Sequence, residues 1–457
     1  MNKMLSKKVA TLILFLEGFV SVSIQMLVMR QLVPFVGTSH VVTSLVIGIF
    51  LASLSLGYVV GGRVKENHIQ CLLRNTTIAI FFIGFGLAYI TMSTVFNFLS
   101  DVFNQPVIEV SIYLLFFLSP IVFLLGQTVP LLTNFYKSST VSETAGNAFA
   151  MNTVGSVLGS IVTALFLFQY FGVANTIIID MILLFVVCFL FMNNKQYIKY
   201  GTFIISLIFG AFIYNTGYER SNFILTNVYT NYEVIEEEAL TVFRMNDSSS
   251  SAIYKDGKSW KYIEYVKAIL FGRGNQELRD SDILVLGAGG FTLSMADDLP
   301  KNNYTYVDID PDIKKVAEEY FLKEPIKGNF VAEDARLFVR KSDKKYDAVL
   351  VDLYSNKTTI PWHVLTTEFI KDVRNTTKEG GIVVFNIISG GFFDDEYGRA
   401  IYNTINVNFP YCHSFPFNYR NERTNILYSC KNIREDKKKI YIDNISNSIS
   451  EELSTGN

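Results

Sequence analysis

The chain has 457 residues, half of them hydrophobic, with 14% aromatic and only 18% charged residues, against about 25% charged in an ordinary soluble domain. A net charge of −2 excludes a bulk basic field for nucleic acid. The four cysteines, Cys71, Cys188, Cys412 and Cys430, form no CxxC or Cys/His cluster, so zinc is disfavoured and no metal is expected.

The charge deficit is uneven. Charges are scarce before about Tyr218 and dense after it. Apolar segments recur at 10–32, 40–61, 76–99, 108–134, 147–171, 174–193 and 200–216, and most reach the roughly 20 residues that carry a helix across a ~30 Å hydrocarbon core. They predict about seven spans over residues 1–217, the last being the shortest. Short connections predict adjacent antiparallel helices, and "GYVVGG" (57–62) and "GSVLGS" (155–160) permit close helix contact. Lys3, Lys7 and Lys8 precede an apolar run without an A-x-A pattern, which reads as an uncleaved first span. Lys3/Lys7/Lys8, Arg63/Lys65/Arg74, Lys137 and Lys195/Lys199 fall on alternate connections, which makes the N-terminal side cytoplasmic. Glu17, Gln25, Gln127, Asn152 and Asp180 lie inside the apolar segments. Intramembrane carboxylates are functional candidates, so Glu17 and Asp180 could form a cation path or a polyamine-binding pair. The plainer reading is that each bridges neighbouring helices.

Residues 218–272 read as a small β lead-in of three short strands, closed by a helix in "KYIEYVKAIL". From residue 282 strands and helices alternate: strands at 282–287, 303–308, 328–332, 346–352 and 381–387, with helices at 291–298, 311–321, 335–341 and 365–375. That order predicts a parallel, doubly wound sheet. "YCHSFPF" and "TNILYSC" then form an antiparallel hairpin with Cys412 and Cys430 on opposite arms, and a polar tail occupies 433–457.

Ligands of such sheets bind beyond the carboxyl ends of the strands. The first strand ends in Gly287-Ala288-Gly289-Gly290, which lets a ligand approach the backbone. The second ends in Asp308-Ile309-Asp310, where an acid can accept both ribose hydroxyls, and the third offers Asp334-Ala335 beside an adenine. The fourth ends in Asp352-Leu353-Tyr354, at the reacting centre. Helix capping explains some of these acids, but four in register point to a nucleoside site. The absence of a GxxxxGK[ST] lysine argues against nucleotide hydrolysis.

"ILVLGAGG", "YVDIDPDI", "EDARLFV" and "YDAVLVDLYS…IPWHVLTTEFIKDV…GGIVVFNI" resemble the spermidine synthase family of aminopropyltransferases. "RQLVPFVGTS", "GQTVPLLTNF" and "AMNTVGSVLGS" resemble the helical region of its membrane-fused branch. The resemblance spans about residues 10–430. It implies that Asp308 binds ribose, Asp334 lies beside adenine, Asp352 serves transfer, and Tyr262 and Tyr354 line the active site. Gly287, Gly289, Gly290, Ile309 and Ala335 complete the donor side. Departures fall on the amine side: Gly290 stands where the family has an Asp, Tyr354-Ser355-Asn356 replaces a second acid, Ile263 follows the tyrosine, and Tyr232-Glu233 replaces YQ.

The fold class expected is therefore an α-helical transmembrane bundle followed by an α/β Rossmann-like, methyltransferase-type domain (273–432). The function expected is membrane-bound aminopropyl-type transfer from decarboxylated S-adenosylmethionine or S-adenosylmethionine to a small amine or other acceptor, releasing methylthioadenosine. Methyl transfer, sulfonium cleavage, and a transporter or sensor with a degenerate synthase domain are the alternatives. The partners are the bilayer and the acceptor, with no nucleic acid, and a homodimer is admitted. The protein is placed in a bacterial cell membrane. The cytosolic origin of the donor favours a cytoplasmic catalytic domain, although seven crossings from a cytoplasmic N-terminal side would put it outside.

Overall fold

A computed structural model describes residues 7–37, 39–133, 140–192, 200–272, 278–295, 302–354, 360–390, 396–418 and 423–433. Lys3, Lys137, Lys195, Lys199, Ser355, Asn356 and the tail from 434 lie outside the described residues.

The first half is a helical bundle: α1 (Lys7–Val36), α2 (His40–Gly62), α3 (His68–Gly86), α4 (Tyr89–Phe103), α5 (Pro106–Thr133), α6 (Val141–Val162), α7 (Phe168–Phe191) and α8 (Thr202–Asn222). Among the described residues five segments are long and apolar enough to cross a bilayer: Lys7–Val36, His40–Gly62, His68–Gly86, Pro106–Thr133 and Val141–Phe191. The expected segment at 76–99 is divided between α3 and α4, because the chain leaves helical geometry at Leu87–Ala88. The expected segments at 147–171 and 174–193 belong to one 51-residue stretch, broken where Gly172 adopts φ 75°. The expected seventh segment forms α8 but is not one of the five.

Small residues set the helix contacts. A Cβ on Gly155 would lie 2.1 Å from the Phe15 carbonyl oxygen, and one on Gly159 2.2 Å from that of Phe19. The ascending pairs mean that α1 and α6 run in the same direction. α2 and α5 are also parallel, with Ser53 bonded to Ser119 at 2.8 Å and Gly61 against Gln127. α3 runs against α5, through Asn75 to Gln127 at 2.9 Å and Tyr113 to the Gly86 carbonyl at 3.0 Å. These directions gather Val36, Gly86, Pro106, Gly172 and Asn222 at one end of the bundle. Lys7, Gly62, His68, Thr133 and Val141 lie at the other.

The α/β half attaches at the first end. β1 (Leu225–Thr226), β2 (Asn231–Glu236), β3 (Leu240–Met245) and β4 (Ser248–Tyr254) form an antiparallel sheet in chain order, one strand more than expected. α9 (Lys261–Phe271) follows as read from the sequence. The main sheet contains β5 (Asp282–Leu286), β6 (Asn303–Asp308), β7 (Asn329–Ala332), β8 (Tyr346–Val351), β9 (Thr377–Gly390), β10 (Cys412–Pro416) and β11 (Arg423–Lys431). Its order is β10-β11-β9-β8-β5-β6-β7, with β7, β6, β5, β8 and β9 parallel and the terminal hairpin antiparallel.

Successive residues of the central strands face opposite sides. Leu284, Leu286, Val349, Val351 and Val383 enter one core, and Ile283, Val285, Ala348, Leu350 and Val384 enter the other. Both faces are covered, as a doubly wound sheet requires.

Two local expectations differ. Residues 292–295 form turns, not the start of a helix, and 296–301 lie outside the described residues. An unforeseen helix, Glu396–Asn408, covers the sheet with Ile401 and Ile405. Gly155→Val should separate α1 from α6, since the added carbons would meet main chain that cannot turn aside. A lowered thermal midpoint of the detergent-purified protein is expected, with no comparable loss for Gly146→Val, whose site is open.

Candidate active site

β5 has β6 on one side and β8 on the other, so the connections leave it in opposite directions and open a crevice at the strand tips. The tips are laced together by main chain: Gly287 N–H donates to Val307 O, Asp352 N–H to Leu286 O and Glu333 N–H to Asp308 O, each at 2.9 Å. Gly287 adopts φ 89°, and a Cβ there would lie 2.0 Å from the Asp352 carbonyl oxygen. Both facts require glycine.

The crevice is a cavity of about 230 Å³. Gly287, Ala288, Gly289, Asp308, Ile309, Asp334, Ala335, Asp352, Tyr354 and Tyr262 all line it. The three acids come from three strand tips, 26 and 18 positions apart in sequence, and the sheet register brings them to one chamber. Gly290 is the exception. It faces away, where a Cβ would lie 2.5 Å from Phe321 and 2.7 Å from Ser251, and its N–H donates to Ser251 Oγ at 2.9 Å. The glycine there is a packing requirement of the turn.

The Asp308 carboxylate accepts from Ala288 N–H and Asp310 N–H, both at 3.0 Å. It ties the glycine turn to β6 and caps no helix. Burial pushes its pKa up to about 6, against the opposing effect of those two amides. Asp334 does cap, accepting Leu337 N–H at 3.0 Å, and its second oxygen lies 3.1 Å from His363 Nε2.

Asp352 is held on both sides. Tyr262 Oη donates to Oδ2 at 3.0 Å and Asn386 Nδ2 to Oδ1 at 2.9 Å. Burial raises the Asp352 pKa, and the two donors oppose that rise. Burial, then the Asp352 charge, holds the Tyr262 hydroxyl well above the usual phenol range. Tyr354 Oη donates to the Asn386 carbonyl at 3.0 Å.

Sequence reading missed Asn386, His363 and the hydroxyl wall of Ser248–Ser251. A signal existed for Asn386, the one polar residue within the buried run "IVVFNI" of β9. The candidates in the helical half do not converge. Glu17 binds Ser21 (2.8 Å) and Asn152, and Asp180 binds Ser23 (2.8 Å), which accepts from Thr163. They form two separate clusters, each bridging helices. Among the described residues no group of three or more metal-ligating side chains occurs.

Residues 273–431 match the spermine/spermidine synthase domain. The C-terminal part of this chain carries a spermidine synthase-family domain. The chain is 31% identical over 134 residues to a polyamine aminopropyltransferase of Vibrio vulnificus, covering 28% of this chain and 44% of that protein. It therefore spans less than half the length of that relative. A longer match, 23% identical over 399 residues, covers 82% of this chain and 78% of polyamine aminopropyltransferase 2 of Aquifex aeolicus. Among solved structures, a probable spermidine synthase of Corynebacterium glutamicum aligns with 49% of this chain and 82% of its own at 18% identity, TM-score 0.39.

If Asp308 receives ribose, Asp308→Ala should weaken methylthioadenosine by about 1–3 kcal/mol, the scale of hydrogen bonds to a charged group. Affinity in the unaltered protein should fall as pH drops through about 6, because the protonated acid can no longer accept both hydroxyls. Burial works the other way on folding: the native state holds this proton more tightly, so its contribution to stability falls as pH rises through the same range. Calorimetry across pH 5–8 checks the affinity, and unchanged binding in Asp308→Ala would remove Asp308 from the nucleoside site.

Proposed function

We propose that this protein is a membrane-bound transferase of the spermidine synthase type, moving an aminopropyl-type group from a decarboxylated or intact S-adenosyl-sulfonium donor to a small acceptor. The observation that carries this reading is Asp352, held between Tyr262 and Asn386 in the same chamber as Asp308. The five long apolar segments support the membrane part.

The reaction asks little covalent work of the protein. The acceptor nitrogen attacks the carbon beside the sulfonium, the C–S electron pair goes to sulfur, and methylthioadenosine leaves. The proton lost by nitrogen goes to Asp352, a general-base role. An alkylammonium with pKa near 10 costs roughly 4 kcal/mol to deprotonate at pH 7. A buried carboxylate with a raised pKa is suited to take that proton. Fixing Asp352 from two sides aligns the acceptor before attack, which is the main source of acceleration in such displacements.

Among the described cavity-lining residues, Asp308, Asp334 and Asp352 are the acids. The first two serve the nucleoside end in this reading, leaving one carboxylate and the Ser248–Ser251 wall for the acceptor. That lining supports an acceptor carrying a single ammonium over a diamine. Asp352→Asn should lower turnover by at least a hundredfold while methylthioadenosine binding stays within a few-fold. Mass spectrometry of the full-length protein incubated with each sulfonium donor reads this out. Methylthioadenosine is the expected product, and S-adenosylhomocysteine would mean methyl transfer instead.

Two observations favour the face opposite to the cytoplasmic placement that the donor suggests. The α/β half adjoins the bundle end away from Lys7, Lys8, Arg63 and Lys65, and basic residues favour the cytoplasmic side. Cys412 and Cys430, directly opposed in the terminal hairpin, are joined by a disulfide, a bond that persists in oxidising compartments. On this reading the domain faces outward, and a donor must be supplied there. Labelling unlysed cells with an impermeant maleimide after mild reduction should modify Cys412, which is half-buried, whereas Cys430 is fully buried. Modification only after lysis would return the domain to the cytoplasm.

A further inference from the structure

The bundle end that meets the α/β half carries a buried cation. Arg30, near the end of α1, is 5% exposed. Its Nε–H donates to the Asn227 carbonyl at 2.7 Å, and its Nη2–H to Asn231 Oδ1 at 2.8 Å. Both acceptors belong to the turn between β1 and the start of β2. Nη1 is buried without a hydrogen-bond partner among the described residues, so these two bonds are what offsets the burial of the guanidinium, and they hold the turn against α1.

Asn227 passes the constraint on. It is fully buried. Its Oδ1 accepts the N–H groups of Tyr229 and Thr230, both at 2.9 Å. Its Nδ2 lies 2.9 and 3.0 Å from the two Asp310 oxygens and 2.8 Å from Asp312 Oδ2. Tyr232 Oη donates to Asp310 at 2.7 Å, and Asp312 also accepts Gln169 Nε2, from α7, at 3.3 Å. Asp310, 1% exposed, is thereby fixed, and its own N–H donates to Asp308 Oδ1 at 3.0 Å.

We propose that Arg30 is a positioning residue for the adenosyl ligand: through Asn227 and Asp310 the membrane bundle sets the orientation of the Asp308 carboxylate. The inference rests on the reading of Asp308 as the ribose-binding acid. It gives the bundle a direct part in donor binding, beyond anchorage. A carboxylate that accepts one amide on each oxygen presents its remaining lone pairs in a fixed direction. Release of Asp310 removes one of the two amides that fix it.

The test is a double-mutant cycle on the full-length protein in lipid nanodiscs, with methylthioadenosine binding as the readout. Arg30→Met should weaken binding at least fivefold, and Arg30→Lys, which keeps one donor, by less. In an Asp308→Ala background Arg30→Met should cause no further loss, because residues acting through one group are not additive. A merely structural Arg30 would weaken binding equally in both backgrounds, and that result overturns the proposal, as does unchanged binding in Arg30→Met alone. If Asp308→Ala itself binds normally, the ribose assignment fails and this inference falls with it. Should Arg30→Met not accumulate, Arg30→Lys in the two backgrounds makes the same comparison.

Discussion

The site depends on one main-chain contact, Gly287 against the carbonyl of Asp352 at the centre of the sheet. With a side chain at 287 the tips of β5 and β8 would be forced apart. Asp352 would then leave the plane in which Tyr262 and Asn386 reach it. The positive φ of Gly287 turns the chain over the strand tip, so that Ala288 N–H reaches Asp308. One residue without a Cβ thus lets the two carboxylates share a cavity.

Electrostatics follows from that closeness. Taking a carboxylate out of water raises its pKa, and each polar neighbour limits the rise. Asp308 is held by amides, which carry no titrating proton, and suits a group that accepts from ribose. Asp352 is held by a phenol and a primary amide, and suits a group that gains and loses a proton. In the proposed function, this difference in partners is what would separate the roles of two acids that look alike in sequence.

The helical half shows the same economy of polar contacts. Glu17 is held by Ser21 of its own helix and Asn152 of α6, and one oxygen of Asp180 accepts from Ser23 of α1, while its other oxygen is buried without a hydrogen-bond partner among the described residues. Arg30 differs because its partners lie outside the bundle, in the turn that leads to Asp310. The junction is built of directional hydrogen bonds, which transmit orientation in a way that apolar contact cannot.

By itself the sequence determined what depends on local pattern. Apolar run length marked the helical half, and alternation of strands and helices marked the doubly wound sheet. Acids just after apolar runs marked Asp308, Asp334 and Asp352, since in a parallel sheet every strand tip faces the same edge. Tertiary structure alone decided what depends on register and packing. Asn386 reaches Asp352 only because β9 lies beside β8. Gly290 leaves the chamber because Phe321 and Ser251 occupy its Cβ space. The division between apolar segments 147–171 and 174–193 is legible in the sequence, and the structure adds that Gly172, at φ 75°, makes the break. The link from Arg30 to Asp310 joins residues hundreds of positions apart, and no local signal in the chain announces a contact whose energy comes from burying a cation beside the one turn able to receive it.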